Sequence, residues 1–124
     1  MEDCDVIFFT FQARRVAQSP YGEPKKKVEK IKHPDKWFNA SWDAFRFRHT
    51  DRQRSESFKC WQDSGDYGYF ELKDAKAALR TTRKLNDEFE FSSKDHYGKV
   101  AQRVLYDFRI IQVTKEIEVI VLDE

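Results

Sequence analysis

Few residues of this 124-residue chain are of types that do chemistry, and their spacing limits what they can do. Cys60, His49 and Asp51 are the one grouping close enough in sequence to supply a thiol nucleophile, a base and an orienting carboxylate. If residues 45–50 and 55–61 pair as strands, Cys60 and His49 share a face with Phe45, Phe47 and Phe58, which predicts a buried, inert thiol. Cys4 and Cys60 are far apart, and His33, His49 and His96 fall into no Cys-x-x-Cys or His-x-x-x-His spacing for a metal. Of four glycines, three sit at turn positions 22, 65 and 68, so no glycine-rich loop cradles a phosphate. The expectation is no catalytic residue, no metal and no cofactor: a protein that binds rather than reacts.

Charge and aromatic rings remain. On a helix, Lys73, Lys76, Arg80, Arg83 and Lys84 fall within an arc of about 100° beside the apolar face. Lys25, Lys26, Lys27, Lys30 and Lys32 make a second basic cluster, and Arg14, Arg15, Arg46 and Arg48 could add rows on a sheet. Such clusters can follow a phosphate backbone, with Tyr21, Tyr67 or Tyr69 for base stacking. The plainer reading is a solvated helix face and a lysine-guarded sheet edge. Glu88, Glu90, Asp95, Glu116, Glu118, Asp123 and Glu124 gather an acidic counterpart in the last third. Trp37, Trp42, Trp61, Tyr67 and Tyr69 are candidate anchors for a protein partner, because Trp and Tyr dominate binding hot spots.

The net charge is only +1, so no global field draws the chain to nucleic acid or lipid. Residues 1–62 carry thirteen basic and nine acidic groups, net +4, and residues 63–124 carry ten and thirteen, net −3, which predicts one basic and one acidic side. Hydrophobic residues at 40% and aromatic residues at 15% suit a single folded domain over 1–124. Residues 1–20 do not read as a signal peptide and no apolar run is long enough for a membrane span, so the expected setting is the cytoplasm with reduced thiols.

The elements that must position these groups follow from periodicity. Residues 5–17 open with the β-branched and aromatic run of a strand. Pro20 to Pro24 is a turn, and Lys25 to Lys32 reads as a hairpin partner or a short helix. Trp37, Phe38 and Trp42 fall in an irregular stretch expected to pack over the sheet. Asp43 to Thr50 alternates as a strand, with Ser55 to Trp61 able to pair back. Leu72, Ala75, Ala78, Leu79, Thr82, Leu85 and Phe89 recur at helical spacing, predicting a helix over about 72–88. Phe89 to Ser93 reads as a short strand, Val100 to Leu105 fits either period, and Phe108 to Leu122 reads as the strongest strand. The expected class is α+β, a mostly antiparallel sheet with that one long helix packed on it.

His33-Pro34-Asp35-Lys36, after the basic Lys25 to Lys32, resembles the tetrapeptide of J-domain co-chaperones. A J-domain opens on a helix, where this chain has the strand run Val6–Phe11, so the resemblance stops at the loop. The segments Phe70 to Ala78 and Phe108 to Ile120 resemble the ending of small bacteriophage and prophage accessory proteins, a short Ala-rich helix before a last strand of the form Arg-Ile-Val-x-Val-Thr followed by alternating charge and Val. That resemblance implies a non-enzymatic protein that inhibits or modulates a host protein or ribonucleoprotein complex in the bacterial cytoplasm, as anti-CRISPR counter-defence proteins do, by surface occupation. A small nucleic-acid-binding module using the basic helix face is the alternative. Either works as a monomer, or as a homodimer if Phe108–Leu122 is an edge strand that pairs with its copy.

Overall fold

A computed structural model describes residues 7–40, 45, 47–60, 68–113 and 120–122. Its backbone strand is β1, Phe8–Gln18, paired antiparallel with β6, Val104–Val113, from Phe8 opposite Val113 to Gln18 opposite Val104. The register shifts between Arg15 and Ala17, which leaves Val16 as the extra residue of a bulge. Three short segments share the other edge of β1. Phe9 and Tyr69 exchange two backbone hydrogen bonds of 2.7 Å, β3 (Phe38–Asn39) lies opposite Gln12 and Ala13, and β2 (Glu29–Lys30) lies opposite Ala17 and Gln18. Lys25 to Lys32 thus supplies a hairpin partner, with no helix in it.

Beyond β6 lies β7, Ile120–Leu122, antiparallel to Ile110–Gln112, and the sheet order is β2-β1-β6-β7. The expected single strand Phe108–Leu122 is therefore two antiparallel strands, one ending at Val113 and the other beginning at Ile120. A second sheet pairs β4, Ser93–Lys94, with β5, Val100–Gln102. Of the expected strand 89–93, residues 89–91 are turn and Ser93 begins β4.

Antiparallel sheets and, among the described residues, two helices make the protein α+β, with one helix more than expected. Helix α1 spans Asp51–Cys60, where a strand was expected, and residues 47–50 are not strand either. Its start is a capping box. The Thr50 Oγ1 accepts the Gln53 N–H at 3.1 Å and the Gln53 Oε1 accepts the Thr50 N–H at 2.7 Å, which satisfies two backbone donors. Helix α2, Leu72–Asp87, buries Ala75, Leu79, Thr82 and Asn86 along one face. It ends in a Schellman motif: Glu90 N–H donates to Leu85 C=O and Phe89 N–H to Asn86 C=O. The left-handed position of that motif, usually glycine, is held by Phe89 at φ 61°.

The strands divide side chains by parity. On one face Phe11, Ala13, Phe108 and Ile110 join Ala75 and Leu79 of α2 and the buried Phe45, Phe47 and Tyr69 in the main core. Phe11 stacks on Phe47 with ring centroids 3.9 Å apart, and Phe45 meets Phe108 edge-on at 5.4 Å. The opposite face buries Phe8, Ile111 and Val113 at one end, with Phe70 against them. Its other end carries Gln12, Arg14, Asp107 and Arg109.

Candidate binding surfaces

The polar end of that second face is built by register. Asn39, Gln12 and Arg109 form one row across β3, β1 and β6. One step along, Trp37 precedes β3 beside Arg14, and Arg14 faces Asp107. Side chains tie the rows together. Arg109 donates from Nε to Gln12 Oε1 at 2.7 Å, and Gln12 Nε2 donates to Asn39 Oδ1 at 3.2 Å. Arg14 Nη2 lies 3.8 Å from Asp107 Oδ2, with the Arg14 and Asp107 side chains 35% and 50% exposed.

Both guanidiniums lie against the half-buried Trp37 ring, Arg14 at 4.4 Å and Arg109 at 4.3 Å from its centroid, within cation–π range. Burial, and then the charge of Arg14, lower the pKa of Arg109 below its ordinary value. Two cations therefore share one indole, and the partly solvated Asp107 carboxylate lies beside Arg14. Arg14 Nε is buried without a hydrogen-bond partner among the described residues. Chemically the cluster is an ordered set of guanidinium donors beside a held aromatic ring, suited to carboxylate or phosphate groups.

The basic helix stripe is less complete than its spacing implies. Arg80 and Lys84 are exposed and Lys76 is half-buried. Lys73 sits 3.1 Å from the Glu71 carboxylate, whose hydrogen bond and charge, followed by the charge of Asp74, raise its pKa. Arg83 turns to the sheet, where its Nη2 donates to Phe108 C=O at 3.2 Å. Tyr69 is 5% exposed, and its hydroxyl accepts the Arg48 N–H at 3.0 Å, so its ring belongs to the interior. Tyr67, Trp42, Trp61 and Arg46 lie outside the described residues, as do Cys4, Glu116, Glu118, Asp123 and Glu124.

Lys25, Lys26, Lys27 and Lys30 are all exposed, with Lys26 3.1 Å from Glu23. The loop that carries the first three borders a cavity of about 750 Å³, lined by Lys25, Phe89, Lys94 and Arg103 among others. Arg103 belongs to the cavity wall and donates from Nη2 to Lys26 C=O at 2.7 Å.

Sequence reasoning missed Arg109 and Arg103. Arg109 shares parity with Ile111 and Val113, so a strand pairing of 8–18 with 104–113 would have set it beside Arg14. For Arg103, which closes a loop far away in sequence, no local pattern exists. Among the described residues no three or more His, Cys, Asp or Glu gather to hold a metal ion, and no helix is long and apolar enough to cross a membrane. No protein-family model matches the chain, and neither a curated protein nor a solved structure matches it.

Proposed function

We propose that this chain is a non-enzymatic binding protein of the bacteriophage accessory type, acting in the bacterial cytoplasm, that inhibits or modulates a host protein or ribonucleoprotein complex by occupying part of its surface. Counter-defence against a CRISPR effector is the specific case that the resemblance of the C-terminal third suggests. The observation that carries the reading is the Arg14–Trp37–Arg109 cluster. Trp and Arg are the residue types that concentrate binding energy. Here both arginines are already held, by Gln12 and Asp107, so less side-chain freedom is lost on docking.

The contacts of two hydroxyls and of the His49 ring are in keeping with that reading. Ser57 Oγ donates to Gln53 C=O and accepts the Gly68 N–H at 3.2 Å, and Thr82 Oγ1 donates to Phe45 C=O at 2.9 Å. His49 packs against Tyr69 at 4.6 Å between ring centroids.

The test is titration of the purified chain into reconstituted CRISPR effector complexes of several types, with target cleavage as the readout. Stoichiometric loss of cleavage for one type, without turnover of any component, is the expected result. Full cleavage in every complex at saturating chain removes the counter-defence form of the proposal.

A further inference from the structure

The end of the molecule around Arg103 collects features that the arginine–tryptophan face does not use. Gly22 N–H donates to Ala101 C=O at 2.8 Å, and Arg103 reaches Lys26 C=O, so the 20–27 loop lies along the β4–β5 hairpin. Exposed Lys25, Lys26 and Lys27 on the loop thereby join exposed Lys94 and Lys99 on the hairpin. Two of the most exposed rings belong to the same two segments, Tyr21 at 71% and Tyr97 at 79%. Tyr97 is held where it is: Asp95 Oδ1 accepts the N–H groups of Tyr97 and Lys99, and the His96 ring lies 4.0 Å from the tyrosine ring.

The cavity between these segments is of ordinary ligand-site size. On its wall is Phe89, the residue in the left-handed conformation at the end of α2. A non-glycine residue there costs about 1–2 kcal/mol, and such strain concentrates at functional sites. Glycine would close the helix without that cost but would remove the ring. Arg103, its guanidinium 5.0 Å from the centre of the Phe89 ring, keeps a buried Nε without a partner among the described residues. Glu88 and Glu90 add acceptors to a rim whose other charges are basic.

We infer that this end binds single-stranded nucleic acid, with the loop and hairpin lysines along the phosphates and Tyr21, Tyr97 and Phe89 offering faces to unpaired bases. Lysines alone would fit any polyanion. Exposed rings interleaved with them, and a cavity walled by an aromatic residue, favour a strand whose bases are free to stack. Glutamates at the rim suit the exocyclic amino groups of bases. The inference is independent of the arginine–tryptophan surface.

The test is fluorescence anisotropy with a short mixed-sequence single strand, DNA and RNA separately, against the matching duplex and against polyglutamate. Single strands are expected to bind, to bind more tightly than duplex, and to weaken about tenfold or more between about 50 and about 200 mM salt. Lys25→Glu with Lys27→Glu, and separately Tyr97→Ala, change only exposed side chains and are expected to cost about tenfold each in affinity. Phe89→Gly is expected to stay folded and to bind more weakly, and Trp37→Ala to bind as wild type does. Absence of single-strand binding at low salt overturns the inference. So does equal binding of duplex or polyglutamate, or wild-type affinity in the lysine and tyrosine variants.

Discussion

The Asn86 carboxamide binds both backbone groups of Tyr106, donating from Nδ2 to its carbonyl at 2.8 Å and accepting its N–H on Oδ1 at 3.0 Å. Among the described residues β7 pairs with Ile110–Gln112 of β6, and at Tyr106 a side chain of the helix takes the place of a strand partner. Arg83 continues the pattern at Phe108 C=O. The free edge that would have made β6 a template for a second copy is thereby closed at these positions.

Replacing Asn86 by Leu should therefore cost about 2–3 kcal/mol, because two hydrogen bonds are lost and two backbone groups stay buried without partners. Urea unfolding is expected to show a lower midpoint with an unchanged slope. A loss below about 0.5 kcal/mol would mean that solvent substitutes for the side chain.

Arg83 and Arg80 are neighbours on the helix but differ in role. Arg83→Ala should cost about 1 kcal/mol through the lost bond to Phe108, and Arg80→Ala should stay within about 0.5 kcal/mol of wild type. Equal effects in thermal unfolding would return Arg83 to the surface stripe.

Gly68 lies close against the start of β1. A Cβ there would stand 2.2 Å from the Phe8 ring and 2.7 Å from the Phe9 carbonyl oxygen. Gly68→Ala is expected to destabilise by about 1–3 kcal/mol through overpacking. A neutral result in denaturant titration would place the segment farther from the strand.

Thr50→Ala removes half of the α1 capping box and should cost about 1 kcal/mol, with amide exchange quickened in the first turn of α1 more than in α2. Uniform quickening across both helices would show that the cap acts on the whole fold.

That cap also shows where the sequence was legible and where it misled. Thr50-Asp51-Arg52-Gln53 is a helix-start signature, yet the alternation of Phe45, Phe47 and His49 pointed to a hairpin instead. Those phenylalanines are buried because they pack on Phe11 and Phe108, a tertiary cause that imitates a strand period. Leu72–Asp87 was readable because Ala75, Leu79 and Thr82 bury one regular face. Trp37 was picked by residue type alone. Its two arginine partners come from β1 and β6, ninety-five positions apart, and only the register between those strands brings Arg14 and Arg109 together.

The most direct test of the central claim, that the Arg14–Trp37–Arg109 face is the recognition surface, is phage plating on bacteria with active CRISPR interference that express the chain or its variants. Wild type and the helix control Lys84→Ala are expected to restore plating. Trp37→Ala and the Arg14→Ala, Arg109→Ala pair are expected to lose it, in line with a hot spot worth at least about 2 kcal/mol, or about thirtyfold in affinity, while each variant remains folded by circular dichroism. Full restoration of plating by Trp37→Ala would contradict the claim.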